Sequence, residues 1–209
     1  ASPADVKAGY SSIAYERDDR GNITLESYYD QSGEPIVAKA GYAALRKEYN
    51  DLNKATKTEY LDTDGNPVAI ANGTAVVLNE YDEKGNMVRE SYLDEDEEPH
   101  SIQPTGKYDP KTYYSYAEIR KEYNDQNKLI EQSYYDAEGD RAKCAQQYSI
   151  QRYEYDNLGR QILTAWFTVS EEPYVNKDGY VSMATSYAPD GSKIDTYYNV
   201  NGDEVTVNK

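Results

Sequence analysis

The chain repeats itself every 32 residues. Tyr49, Tyr81, Tyr123, Tyr155 and Tyr187 stand at intervals of 32, 42, 32 and 32. The long interval holds ten extra residues, Thr105 to Tyr114 (TGKYDPKTYY), which read as a loop insertion. Arg17 lies 32 residues before Tyr49 and opens onto the same downstream pattern. Six copies therefore begin near Gly9, Gly41, Gly73, Ser115, Gln147 and Gly179, after a short tail from Ala1 to Ala8. A period of this length means units that bury an apolar face only against their neighbours, so residues 9–209 are expected to form one array. Arrays of like units bind or space things. They lack the asymmetric cleft that catalysis needs, which points away from an enzyme.

Each copy opens with a small residue and an alternating run. One face carries Ala43, Leu45, Lys47 and Tyr49; its counterparts are Ala75, Val77, Asn79, Tyr81, then Ala117, Ile119, Lys121, Tyr123, then Val181, Met183, Thr185, Tyr187. A period of two predicts a strand. YAALRKEYNDLNK and YAEIRKEYNDQNK are rich in helix formers. Their register equivalents TAVVLNEYDEKG and SIQRYEYDNLGR are strand-like, and equivalent copies share one structure, so strand is predicted throughout. A turn follows whose last position is Gly21, Asn53, Gly85, Asn127, Gly159 or Gly191, the two residue types that best tolerate positive φ. That is a hairpin signal.

A second strand carries an aromatic ladder: Tyr28, Tyr60, Tyr92, Tyr134, Trp166 and, in the last copy, Tyr197 or Tyr198. The last copy lacks one residue after Gly191, and Tyr198 is taken as its ladder position. A second turn follows (DQSGEP, DTDGNP, DEDEEP, DAEGDR, TVSEEP, NVNGDE), and Pro35, Pro67, Pro99 and Pro173 limit pairing after it. A short third strand (IVAKA, VAIAN) then leads into the next copy. The expected fold is all-β: tandem hairpins stacked into an elongated ribbon or solenoid, with ladder rings pairing across successive strands.

The core must be unusual. Val, Ile, Leu and Phe together fall below the roughly 20% at which disorder becomes a serious reading. The 24 tyrosines, against one phenylalanine, restore order. In a thin fold a tyrosine can bury its ring and keep its hydroxyl wet or bonded, so a shallow tyrosine-lined core is expected.

The stretch Arg152 to Arg160 (RYEYDNLGR) resembles the tyrosine–aspartate repeats of the RHS type, an aromatic strand ending in Tyr-Asp, two free residues, then Gly. NEYDEKGN from Asn79 is similar; EYNDLNK from Glu48 and EYNDQNK from Glu122 carry Asn for Asp and for Gly. The first copy (ERDDRGN) lacks the Tyr and the last (SYAPDGS) lacks the Asp. SYYDQSGEPIVAKAGY resembles the aromatic cell-wall or choline-binding repeats of Gram-positive surface proteins, with a longer period and Trp166 as the one indole. Both resemblances imply an exported or surface-displayed bacterial protein built of β-hairpins. The start at Ala reads as a mature or trimmed piece of such a protein.

The net charge of −16 argues against nucleic acid and against an anionic membrane surface. No apolar run approaches a membrane span. One cysteine, Cys144, rules out an internal disulfide, and Cys144 with the single histidine, His100, lacks a third group to orient a catalytic pair. The acidic turns around Asp62, Asp64, Asp94 and Asp96 resemble fragments of calcium loops, but the later bidentate Glu is absent and turn chemistry accounts for them. Glu97, Glu98, Glu171 and Glu172 are adjacent pairs that point apart, so they are read as surface and not as a hydrolytic pair. No metal site and no cofactor is expected.

Two functions remain. One is a cell-surface module binding cell-wall or other carbohydrate through the ladder (Tyr28, Tyr60, Tyr92, Tyr134, Trp166, Tyr198) and the inserted Tyr108, Tyr113 and Tyr114. The other is a stalk or protein-interaction scaffold of a larger surface protein. Rings exposed on one face favour the first; rings buried against each other favour the second.

Overall fold

The fold was analysed on a computed structural model, which describes residues 8–103 and 113–207. The chain forms two compact units, Ala1–Lys107 and Tyr108–Lys209. In the first unit the strands are β1 (Ser12–Arg17), β2 (Ile23–Tyr29), β3 (Ala44–Tyr49), β4 (Ala55–Leu61), β5 (Val76–Tyr81) and β6 (Met87–Leu93). The second has β7 (Glu118–Tyr123), β8 (Leu129–Tyr135), β9 (Ile150–Tyr155), β10 (Gln161–Phe167), β11 (Ser182–Tyr187), β12 (Lys193–Tyr198) and the two-residue β13 (Glu204–Val205). In each unit every strand pairs antiparallel with the next in sequence, and among the described residues the first and last strands do not pair, so the sheet is open. The helix-rich segments ALRKEY and EIRKEY are β3 and β7. Pairing on both sides overrides their weak intrinsic preference.

The hairpin turns follow the Gly/Asn signal. Asn53 and Asn127 have φ of 56° and 59°, and Gly21, Gly85, Gly159 and Gly191 lie between 72° and 86°. Each closes a tight turn in which its amide donates to the carbonyl three residues earlier, as Gly85 does to Asp82 at 3.0 Å. Just beyond, β2, β4, β6, β8 and β10 each carry one extra residue: Thr24, Thr56, Val88, Ile130 and Ile162 face no partner in the neighbouring strand. These are β-bulges, which twist the strand and leave part of the ladder unpaired. Between β11 and β12 the register is continuous. The residue that the sixth copy lacks is its bulge.

The expected third strand shrinks to isolated bridges in the earlier copies and to the two-residue β13 in the last. Pro35, Pro67, Pro99 and Pro173 each make one isolated bridge to the end of the preceding strand. A proline has no N–H to continue a ladder. The next amide, Ile36, bonds Tyr28 O at 3.0 Å, and the chain then enters a further tight turn, with Gly41 donating to Ala38 O at 2.9 Å. The small residues that open the copies are thus turn positions. Gly9, Gly41, Gly73 and Gly179 have φ between 85° and 97°, and Gln147 takes the same left-handed conformation at 75°.

The core lies in the sheet's own layers. In the first unit Ala43, Leu61, Ala75 and Val76 are buried, and in the second Ala117, Cys144 and Ile150 are. The ladder rings complete it. Tyr28 and Tyr134 are each 7% exposed.

Candidate functional site

The expected ladder holds in register but not in its contacts. Tyr28, Tyr60, Tyr92, Tyr134 and Trp166 pair with Ile13, Leu45, Val77, Ile119 and Gln151 on the preceding strand. The corresponding partner of Met183 is Tyr197, so Tyr197 and not Tyr198 occupies the ladder position in the last copy. Loss of the bulge residue shifts the rest of β12 by one, which turns Tyr198 to the other face.

Successive ladder rings do not touch directly. They sit two strands apart, roughly 9.6 Å, beyond aromatic contact. A second set of tyrosines bridges them; Tyr10, Tyr42, Tyr148 and Tyr180 each follow the left-handed residue of an inter-copy turn, and Tyr116 follows Ser115. In the first unit Tyr10, Tyr28, Tyr42 and Tyr60 follow one another at centroid distances of 4.6, 5.7 and 5.0 Å. In the second, Tyr116, Tyr134 and Tyr148 lie at 4.9 and 6.2 Å, and Trp166, Tyr180 and Tyr197 at 5.7 and 4.7 Å. The turn tyrosines are not among the site residues expected from sequence, although three copies start with Gly-Tyr. The signal was there: a large residue beside an obligatory turn glycine.

The Tyr of the Tyr-Asp pattern has a separate task. Tyr49, Tyr81, Tyr155 and Tyr187 each donate their hydroxyl to a backbone carbonyl 26 residues earlier. The acceptors are Ile23 at 2.8 Å, Ala55 at 3.0 Å, Leu129 at 2.8 Å and Gln161 at 2.8 Å. Each acceptor immediately precedes the bulged residue and lies beyond the last register pair that its strand makes with the following strand. The hydroxyl tip, expected to be wet or bonded, is bonded to a carbonyl of the preceding copy. Burial pushes the Tyr49, Tyr81 and Tyr155 hydroxyls up, so they stay protonated donors.

The Asp of that pattern is a turn residue. Asp82 Oδ1 accepts the amides of Lys84 at 3.0 Å and Asn86 at 2.8 Å, and its Oδ2 accepts Asn86 Nδ2 at 2.9 Å. These bonds hold its carboxyl below the usual range. Asn50 and Asn124 make the same two amide bonds from Oδ1. Asp62 and Asp94, in the calcium-like turns, also spend Oδ1 on two backbone amides each. Glu97 and Glu171, read as surface, occupy left-handed positions with φ of 62°. Each is ion-paired, Glu97 with Lys57 at 2.9 Å and Glu171 with Arg152 at 3.1 Å. Cys144 is 2% exposed, and burial raises its thiol. A buried, protonated thiol is inert.

The ladder borders an open groove in the second unit. Its volume is about 520 Å³, and it lies between two inter-copy turns, the one ending at Tyr148 and the one ending at Tyr180. Its walls are Tyr148, Trp166, Tyr174 and Tyr180. Tyr148 and Tyr174 are tilted 59° at 6.2 Å, and Trp166 and Tyr180 meet edge-on at 5.7 Å. The Tyr174 hydroxyl donates to Gln146 O at 3.0 Å and the Tyr148 hydroxyl to Gln151 Oε1 at 2.9 Å, which fixes both rings. Asn176 braces the second turn through the amides of Asp178 and Tyr180. Lys177 and Asp178 stand exposed at the rim.

Of the other expected site residues, Tyr108 lies outside the described residues. Tyr114 stacks on Tyr116 at 5.9 Å, and Tyr113 offers its carbonyl to Gln147 Nε2 at 2.8 Å. Neither lines the groove. Of the residues expected from sequence, only Trp166 does.

No family model matches the sequence, and no curated protein does. Among 31 matching chains of known structure is the crystal structure of TcdB2-TccC3-TEV. That likeness has a TM-score of 0.31 at 11% identity, and it covers 95% of this chain and 13% of that one.

Proposed function

We propose that the chain is a non-enzymatic scaffold segment of an exported, surface-displayed protein, an array of 32-residue hairpin copies that spaces or presents other parts of it. The observation that carries this reading is where the tyrosines are spent. Ladder rings lie against turn rings, with Tyr28 and Tyr134 buried, and the Tyr-Asp hydroxyls bond backbone carbonyls. Rings packed against their neighbours hold copies together. Within each unit the open strand order supports a ribbon over a closed solenoid.

The test compares stability with retention on insoluble polysaccharides and peptidoglycan. Tyr60 lies 5.0 Å from Tyr42 in the ladder. On the scaffold reading Tyr60→Leu destabilises the chain by about 1–3 kcal/mol and leaves retention unchanged. A Tyr60→Leu protein of native stability that has lost retention would overturn it in favour of binding through the repeated ladder.

A further inference from the structure

The aromatic groove between the turns at Tyr148 and Tyr180 differs from every equivalent place in the described residues. Repeat register makes the comparison direct. The position of Tyr174 is held by Ile36, Val68, His100 and Ala142 in the preceding copies, each following the second turn. The position of Trp166 is Tyr in the others, and the position of Tyr180 is Thr74 in the third copy. Trp166 and Tyr174 thus break the repeat in the same copy, and the fold brings both to one groove. In the preceding copies the equivalent position offers Ile36, Val68, His100 or Ala142, so this copy alone places a tyrosine ring there. Two independent departures that meet at one opening are not needed for packing, because four other copies fold without them.

We propose that this groove is a binding site for a neutral saccharide of one or two rings. The volume of about 520 Å³ falls within the range of small-ligand sites, roughly 300–1,000 Å³. Trp166, Tyr148, Tyr174 and Tyr180 meet at tilted and edge-on angles and therefore offer faces in more than one direction. Such faces accept the C–H surface of a pyranose, which is apolar on its flat side and ringed by hydroxyls. The groove is apolar inside and polar at its lip, where Gln146, Lys177 and Asp178 supply donors and acceptors for those hydroxyls. Lys177 and Asp178 cancel in charge, so the rim favours neither anionic nor cationic ligands on a chain that is otherwise strongly acidic. Two of the four rings are pinned by their own hydroxyl bonds, so ligand binding orders little that is not already ordered.

This proposal stands apart from the scaffold reading, since it concerns one groove and not the ladder. Trp166 is the one tryptophan of the chain, so its emission reports on this groove alone. The purified full chain is titrated with glucose, N-acetylglucosamine, cellobiose, maltose and N,N′-diacetylchitobiose, and separately with choline chloride. A saturable change in Trp166 emission with at least one saccharide is the expected result. Tyr174→Val, which installs the residue of the second copy, should weaken that saccharide by roughly tenfold or more. Asp178→Ala, at an exposed turn position, is the second variant and should also weaken it while leaving the circular dichroism spectrum native. No saturable response to any saccharide overturns the proposal. So does saturation by choline with the saccharides silent, which would make the groove a cation cage. A saccharide response that survives both variants overturns it as well.

Discussion

Replacing Tyr155 by Phe deletes a single oxygen, and the structure says what that oxygen holds. Its hydroxyl reaches Leu129 O at 2.8 Å, on the strand of the preceding copy just before the bulge at Ile130. That carbonyl lies beyond the last register pair of β8 with β9, so the deletion removes the bond that reaches it from the following copy. Tyr155→Phe is expected to cost about 1 kcal/mol, read as a lower urea midpoint at unchanged slope. An unaltered midpoint would mean that water serves the carbonyl equally well. The same contact explains a compositional oddity. A ring that only filled space could be Phe; four rings that must also donate a bond 26 residues back cannot. The sequence showed that tyrosine was preferred and that its hydroxyl needed a partner. It did not show the partner, because the acceptor exists only once a bulge has formed in the neighbouring strand.

At the scale of the element, the hairpin turns are where sequence and structure agree most closely. A left-handed residue is a local requirement that only Gly and Asn meet cheaply, so six turn ends were legible one residue at a time. The third turn in each copy was less legible, since Gln147 fills the left-handed place in one copy and the small openings looked like the start of a strand. The prolines were read correctly as limits to pairing; how short they cut the third strand depends on the turn that follows. The turn carboxylates carry a pH dependence. Asp18 and Asp82 are lowered chiefly by the side chains of Asn22 and Asn86, and Asp156 by the amide and side chain of Arg160. A group with a lowered folded pKa contributes stability that is complete above its unfolded pKa, about 3.9, and that is lost as pH falls through the folded value. Asn50 and Asn124 hold the same turns without a titrating group. The triple variant Asp18→Asn, Asp82→Asn, Asp156→Asn should therefore be slightly less stable at neutral pH. It should lose less between pH 6 and pH 3, as followed by urea midpoints across that range. An equal or steeper loss on the acid side would show that these carboxylates do not carry the dependence.

At the scale of the molecule, the repeat made the all-β architecture legible and hid the groove for the same reason. A period is found by what copies share, whereas the groove is made by what one copy does not share. Trp166 announced itself as the lone indole; Tyr174 was one tyrosine among 24 and gained meaning only beside it. Charge is the remaining property of the whole chain. There are 38 acidic against 22 basic residues, an excess of 16 negative charges. The ion pairs that do form are largely at the surface, such as Arg89 with Glu80 at 3.2 Å and Arg160 with Asp156 at 2.7 Å. Exposed pairs contribute about 0–1 kcal/mol each and weaken in salt, which works against stability as ionic strength rises. Repulsion among the carboxylates is screened by the same salt, which works for it. The excess of acid decides the sign. Raising NaCl from about 10 mM to about 150 mM shortens the screening length from about 30 Å to about 8 Å, so repulsion between carboxylates on separate turns is largely removed while contact pairs at hydrogen-bond distance keep most of their strength. Tm should rise over that range, by about 2–4 °C for each kcal/mol of repulsion relieved. A fall in Tm, measured by circular dichroism at neutral pH, would mean that the surface pairs outweigh the excess charge. The acidic turns would then be part of what holds the copies together.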